Sequence, residues 1–541
     1  MGIYVNPGNE NLKEALRSKI FVDKSLFIGK ISEFLNTQQK FVCVSRPRRF
    51  GKSMIGNLMK AYFSKGCDSL SLFENLKIAN PPKKDNEPVF DFKENLNKFN
   101  VLSIDLGAIF SSSQDKKDIL INLKNWLLKD FRKEFPDIEF SESDPISKMI
   151  LDAYDNTKTQ FIIIIDEYDV LVRERIPKEI FKEYLEMLNS LFKNNELSPA
   201  IALAYLTGIL PIVRDKVQSK LNVFKESTML SPFGMEEFFG FTKEETEALC
   251  KMYGMSFAEC ENWYDGYRIG ETEKISIYNP NSVVEAMMRR KFRNYWHSTG
   301  SYEVVSDYIK LDYDGVKTAV LEMISDREVP VKVVDFKNKL DEIKTRDNVL
   351  TYLIHLGYLN YDEDTGFCRI PNREIKEEWM SALQDADNFS KIAEMIADSD
   401  RLLYYTQKCD AEKVAVALDE AHLAVSNPKN YNNEASLQAA IRLAYFTATS
   451  KYTIIQELTT GYGFADMGFI PLDKKDPAMI IELKYDKDAE TAITQIKEKK
   501  YPKVFENYLD NLLLVGVNYD KTTKVHECVI EKYQCTEELQ C

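Results

Sequence analysis

Histidine and paired cysteine are what this chain has least of. Its four histidines stand apart, and its nine cysteines are scattered without a single C-x-x-C. That scatter excludes the usual zinc sites and a disulfide framework, and it predicts a reducing, cytoplasmic setting. No run of about 18 apolar residues occurs, so no membrane-crossing helix and no membrane partner are expected. The start, MGIYVNPGNE, is polar and has no signal-peptide pattern, and Gly2 is followed by Asn6 where N-myristoylation needs Ser or Thr. Positive charge is also in deficit, with a formal net charge of −14. A polyanion is repelled by such a chain on average, so a nucleic-acid partner requires a local basic surface. Internal repeats and low-complexity tracts are absent.

What is present reads as a soluble α/β multidomain protein. The 541 residues exceed what one hydrophobic core organises. Over the first 230 residues, apolar runs FVCVS (41–45), VLSIDL (101–106), FIIIID (161–166) and IALAYL (201–206) alternate with helical patterns such as 53–63 and 179–192. Continuous apolar strands separated by helices predict a parallel sheet with helices on both faces. A P-loop domain is therefore expected over 1–240. A helical lid region follows over 241–330, with loops at WYDGYRIG and YNPNS. Residues 331–410 are expected to form a mainly helical connecting region, open to a winged-helix-like form, with a small hairpin at GYLNYDEDTGFCRI. The last span, 411–541, repeats the α/β pattern: a helix at 434–448, strands YTIIQEL, FADMGFIPL and AMIIELKY, a helix at 489–501, and a strand LLLVGVNY.

The stretch SRPRRFGKS (45–53) lies between a buried strand and a helix. Gly51, Lys52 and Ser53 complete the end of the pattern G-x-x-x-x-G-K-[ST], but Arg46 stands where its first glycine belongs. Backbone N–H groups at a helix start hold phosphate. Lys52 is placed to reach terminal phosphates, and the Ser53 hydroxyl to coordinate magnesium. Without the first glycine the loop cannot begin in the standard turn. Pro47 fixes its beginning instead, Phe50 completes it, and Arg46, Arg48 and Arg49 are expected to add cations near the phosphates. Downstream, FIIIIDEYD ends an apolar strand with Asp166 and Glu167, an arrangement that holds a magnesium shell and orients an attacking water. A strand end followed by a capped turn carries the same two acids. Found together on neighbouring α/β units, the two motifs favour a nucleotide site. Thr207 is a candidate γ-phosphate sensor or a structural turn residue, and Arg214 a charge-stabilising finger or a surface ion pair.

A second constellation lies near the C-terminus. Asp466 in GFADMGFI and the pair Glu482 and Lys484 in AMIIELKY fall on adjacent strands. Residues two apart on a strand share a face, so Glu482 and Lys484 point together while Leu483 points away. Two carboxylates converging with a lysine make an oxygen-ligand site for Mg²⁺ or Mn²⁺, beside a group that positions water and stabilises phosphate charge. Gln495 on the following helix and Glu434 on the preceding one are candidates to complete it. Lys487, Lys497, Lys499, Lys500 and Lys503 supply a basic surface for nucleic acid; a solvated helix face carries lysines in the same way.

With these stretches in hand, the chain resembles bacterial AAA-ATPase-like proteins fused to a C-terminal PD-(D/E)XK nuclease-superfamily domain. The likeness rests on FVDKSLFI, SRPRRFGKS, IIIIDEYD, LTGILPI, WYDGYRIG with YNPNS, HLGYLNY, and GFADMGFI with IIELKY and QIKEKKY, in the family's order. In that family the Arg-Pro-Arg-Arg-Phe-Gly-Lys-Ser loop is the usual one. The resemblance implies ATP binding through Lys52, Ser53 and Asp166, metal binding through Asp466 and Glu482 with Lys484 alongside, and a restriction-endonuclease-like C-terminal fold. It leaves DNA or RNA as the partner and leaves oligomerisation open. A nucleotide-operated switch that binds without cutting is the rival reading.

Overall fold

The computed structural model describes all residues except 1, 83–89, 175, 213–221, 272, 297–314, 325–326, 339–342, 385–389, 426–436, 439–440, 443, 446–447, 449–450, 461–462, 474, 500 and 534–541. The chain divides into two compact units: Met1–Tyr308 with Asp312–Ala319 and Glu328–Glu378, and Ile309–Leu311 with Val320–Arg327 and Trp379–Cys541.

The first unit is built on a five-stranded parallel sheet, β1 (Phe41–Ser45), β2 (Asn100–Asp105), β3 (Phe161–Asp166), β4 (Ile201–Gly208) and β5 (Lys225–Ser227), in the order β2-β3-β4-β1-β5. Alternate side chains of one strand serve different cores. Phe161, Ile163 and Ile165 pack with Leu123, Leu127 and Leu188 from the helices Ile119–Glu134 and Lys178–Phe192. Ile162 and Ile164 pack on the other face with Ile55, Leu58 and Met59 of the helix Lys52–Phe63. Both faces are therefore covered, which is why these strands read as unbroken apolar runs. The register places the strand ends together: Ser45 opposite Gly208, Thr207 opposite Asp166, and Asp166 opposite Asp105.

Of the two stretches expected as loops in 241–330, WYDGYRIG carries β7 (Tyr267–Ile269), while Asn279 of YNPNS caps the helix Pro280–Arg289. β7 pairs with β8 (Ile275–Tyr278), which joins β6 (Phe241–Thr242) in an antiparallel sheet, β6-β8-β7. Alternating Tyr267 and Ile269 are buried while Arg268 is exposed, a short two-residue period inside a helical context. Beyond them, the helix Arg346–Leu356 precedes a hairpin of β10 (Asn360–Asp362) and β11 (Phe367–Arg369), to which β9 (Val329–Pro330) adds a third strand.

The second unit holds a mixed five-stranded sheet of β12 (Tyr452–Thr460), β13 (Gly463–Pro471), β14 (Ala478–Tyr485), β15 (Leu512–Asp520) and β16 (Val525–Lys532), in chain order. Only β14 and β15 run parallel, joined through the helix Ala489–Glu498. β16 is an addition to the strands read from sequence. The His526 backbone N–H and ring Nδ1 lie 2.8 and 2.7 Å from Asp419 Oδ1, fastening the helix Ala411–Val425 to that strand. Among the described residues no helix is long and apolar enough to cross a membrane.

Candidate functional sites

In the first unit, β1 hands the chain to the helix Lys52–Phe63 through Arg46–Gly51. Positive φ occurs at Arg49 (66°) and at the N-cap Gly51 (85°), so the turn forms later in the loop than in a standard one. No side chain caps the helix start, leaving its N–H donors to the space in front of it. Lys52 is buried; its Nζ donates to the carbonyls of Arg46 (2.9 Å) and Pro47 (2.8 Å). Burial lowers its pKa to about 8, against the opposing charges of Asp166, Asp169 and Glu167. The Asp166 carboxylate accepts the Glu167 N–H at 2.9 Å, and burial raises its pKa while the nearby Ser53 hydroxyl and Lys52 pull it down. An ammonium, a hydroxyl–carboxylate pair and open helix N–H groups suit a nucleotide's phosphates with a magnesium ion.

Not every residue of the loop faces that space. Arg46 was expected among the phosphate cations, but its guanidinium is fully buried. It donates to the Ser45 carbonyl (2.8 Å) and the Ser227 hydroxyl (3.0 Å), and lies 5.4 Å from the Phe239 ring centroid. Burial lowers its pKa to about 10. Arg46 is an internal anchor. Pro47 and Phe50 are buried as well, whereas Arg48 is half-buried and Arg49 exposed. Thr207 differs in the same way: its hydroxyl donates to the Val44 carbonyl at 3.1 Å, inside the sheet. Arg214 lies outside the described residues.

Glu167 follows Asp166 in a left-handed conformation (φ 51°) and stays 46% exposed. Arg173 holds its Oε2 at 2.9 Å and also pairs with Asp169 at 3.1 Å. Asp169, buried, accepts the backbone N–H groups of Ile209 (3.1 Å) and Leu210 (2.9 Å). A Cβ on Gly208 would lie 2.4 Å from Asp169 Oδ1, so the glycine of LTGILPI lets this carboxylate in. Sequence reading passed over Asp105, Asp169 and Arg173. Asp105 was detectable as the acid within VLSIDL; nothing in DEYD marks its last aspartate as buried.

In the second unit, Glu482 and Lys484 continue the row Ala478 and Ile480, the face that packs with Ile493 and Ile496 of the helix Ala489–Glu498. The helix comes close because Gly516, paired with Glu482, has no side chain: a Cβ there would lie 2.4 Å from the Ala489 carbonyl. That approach sets Gln495 over Glu482, where its Nε2 donates to Oε1. Lys484 Nζ donates to the same oxygen at 2.9 Å. Among the described residues, Glu482 Oε2 is buried with no hydrogen-bond partner. Burial raises the Glu482 pKa to about 7, offset by the Lys484 hydrogen bond and reinforced by the Asp466 charge.

The β13–β14 ladder runs from Phe469–Met479 to Met467–Ile481. Just past it, Asp466 Oδ2 takes the Leu483 N–H at 2.7 Å, and Oδ1 takes Gln438 Nε2 at 2.7 Å. Asp466, Glu482, Lys484 and Gln495 therefore meet in one cluster, with Gln438 as a member that sequence reading missed. Its spacing offered a signal, four residues after Glu434. Glu434 itself lies outside the described residues, as does Lys500, and the Lys503 side chain is likewise undescribed. Lys487, Lys497 and Lys499 are exposed, with Lys497 paired to Glu531 at 2.5 Å. The orphaned Glu482 oxygen and the Asp466 carboxylate suit Mg²⁺ or Mn²⁺, which is commonly held by one or two carboxylates with water and phosphate oxygens. Among the described residues, no group of three or more His, Cys, Asp or Glu is placed to hold a metal.

Residues 10–218 match the AAA-ATPase-like family, described as predicted AAA-ATPases. Residues 432–528 match the PD-(D/E)XK nuclease superfamily. Similarity also extends to a protein described as uncharacterised, from the vnfD 5′ region of Azotobacter chroococcum: 23% identity over 295 residues, 53% of this chain and 52% of that one. The chain thus spans about half the length of that relative. Among solved structures, the Aeropyrum pernix ORC1 protein in complex with DNA aligns over 69% of this chain and 94% of that chain, at 11% identity and a TM-score of 0.26. A likeness that slight carries no argument about this chain.

Proposed function

From a chain that joins an AAA-ATPase-like domain to a PD-(D/E)XK nuclease-superfamily domain, we propose an ATP-binding and ATP-hydrolysing protein whose nucleotide cycle governs metal-dependent cleavage of nucleic acid. Lys52 and the helix start hold the phosphates, Ser53 and Asp166 the magnesium, and Glu167 orients water for hydrolysis. In the second unit Asp466 and Glu482 hold Mg²⁺ or Mn²⁺, which when bound supplies Lewis acidity toward a phosphodiester. Lys484 places positive charge at the scissile phosphate, and Gln495 and Gln438 keep the two carboxylates aimed. The partner is DNA or RNA, the setting is cytoplasmic, and genome defence or control of mobile elements suits such a combination.

The observation that carries the nuclease reading is Glu482 Oε2. A buried carboxylate oxygen without a donor is costly unless something binds it, and a cation between Glu482 and Asp466 meets that need. Wild type, Glu482→Ala and Lys484→Ala are to be incubated with single- and double-stranded DNA and RNA, with Mn²⁺ or Mg²⁺, with and without ATP. Cleavage by wild type alone is expected; equal cleavage by Glu482→Ala would assign the activity elsewhere. The rival, a nucleotide-operated switch with a non-cleaving nuclease-like domain, draws support from there being only two described carboxylates at the cluster. Metal binding by calorimetry without cleavage of any substrate would favour it.

A further inference from the structure

The loop that stands in for a glycine-rich one is also braced from its outer side. Pro47 and Phe50 are both buried. The Phe50 ring meets Tyr267 edge-on, with centroids 5.3 Å apart and planes at 88°. The Phe50 carbonyl accepts the Gly240 N–H at 3.0 Å. Tyr267, wholly buried on β7, donates its hydroxyl to the Gly357 carbonyl at 2.6 Å. Gly357 in turn lies against Pro47: a Cβ there would sit 2.7 Å from Pro47 Cβ, and its φ of 87° already favours glycine. Lys52 closes the circuit, since one of its two acceptors is the Pro47 carbonyl.

Tyr267 thus touches the loop at Phe50 directly and at Pro47 through Gly357, on either side of Arg48 and Arg49. A loop with Arg46 in place of the first glycine cannot hold its shape by backbone freedom alone, and side-chain packing supplies the missing restraint. On the nucleotide-site reading, we infer that Tyr267 is a positioning residue for nucleotide binding, holding the phosphate loop and Lys52 in the conformation that receives a nucleoside triphosphate. The tyrosine of WYDGYR then works through the loop, without touching the ligand.

The test uses the full chain. Tyr267→Phe keeps the edge-on ring contact and deletes the hydroxyl; Tyr267→Ala removes both. Tyr264→Phe is the control, because Tyr264 is equally buried and donates to a backbone carbonyl, that of Arg293 at 2.8 Å, away from the loop. Affinity for Mg-ATP is read by calorimetry, beside the melting temperature of the nucleotide-free protein. Tyr267→Phe should weaken ATP binding about three- to tenfold, the range of one lost hydrogen bond, and Tyr267→Ala more. Steady-state KM for ATP should rise while kcat stays within about twofold, because Asp166 and Glu167 are untouched. Tyr264→Phe should lower the melting temperature comparably and leave ATP affinity at the wild-type value. Wild-type affinity in Tyr267→Phe overturns the inference, and so does an equal loss in Tyr264→Phe, which would reduce the effect to general stability. If Tyr267→Ala does not fold, the Phe variant decides. Lys52→Ala reads the nucleotide site itself: binding lost there but unchanged in Tyr267→Phe refutes the brace alone, whereas a wild type that binds no nucleotide removes both.

Discussion

Replacing Glu482 with glutamine should change how the metal-free second unit responds to pH. Burial lifts this carboxyl from the usual 4.5 to about 7. A tenfold change in proton affinity corresponds to about 1.36 kcal/mol, so ionising Glu482 in the folded unit costs roughly 3 kcal/mol. The raised value sets the direction. Below pH 4.5 both folded and unfolded chains hold the proton, and nothing is lost. Between 4.5 and 7 the unfolded chain ionises first and stability falls; above 7 the loss is complete. Glutamine cannot ionise, so the variant should lack this decline and be the more stable protein at about pH 8 in EDTA. Urea unfolding of the full chain at pH values from about 4 to 8 measures it, the relevant transition being the one that Mn²⁺ displaces in wild type. Metal should reverse the order: at about a hundred times its Kd it adds roughly 2.7 kcal/mol to wild type, and little to the variant. Parallel pH profiles for the two proteins in EDTA would refute the burial argument, and with it the idea that a carboxylate with one unsatisfied oxygen waits there for a cation.

Three further outcomes are expected. Lys52→Ala should abolish ATP binding by calorimetry, and wild-type affinity should decline as pH rises past about 8, because the neutral amine must regain its proton to meet phosphate. Glu167→Gln should bind ATP as wild type does, keeping an oxygen for Arg173, and release no phosphate in a turnover assay. A fragment of residues 379–541 should be more stable by about 2 kcal/mol or more than one beginning at 411, by chemical denaturation. The shorter piece forfeits the buried Thr406–Tyr445 hydroxyl pair (2.7 Å) and the Gln407 bond to Tyr452 (2.8 Å).

The strands around the first site were legible because burial on both faces leaves a continuous apolar signature, as in FIIIID. Glu482 and Lys484 were likewise readable, since a period of two puts them together whatever the sheet does around them. What escaped notice depended on distant partners. Arg46 looks like a phosphate ligand in any local reading; only Ser227 and Phe239, far along the chain, make it an anchor. Thr207 looks like a sensor until the neighbouring Val44 carbonyl claims its hydroxyl. β7 and β8 are too short, at three and four residues, for alternation to stand out against flanking helices. β16 is the instructive miss. VHECVIEK mixes exposed and half-buried positions around a buried His526, so the polar residues of an outer strand hid its pairing with β15.

The manner in which the phosphate loop is secured bears on its portability. A turn shaped by glycines carries its geometry within itself and can in principle be lifted into another scaffold as a short cassette. Here three of its letters are tied to residues elsewhere: Arg46 to Ser227, Pro47 to Gly357, Phe50 to Tyr267. Transplanting SRPRRFGKS alone would move the letters and leave the shape behind. Restoring the consensus with Arg46→Gly would likewise vacate a side chain's volume beside Phe239 and remove the donor to the Ser227 hydroxyl, leaving it only its bond to the Pro232 carbonyl. In a collection of related chains, these three pairs are where substitutions should arrive together.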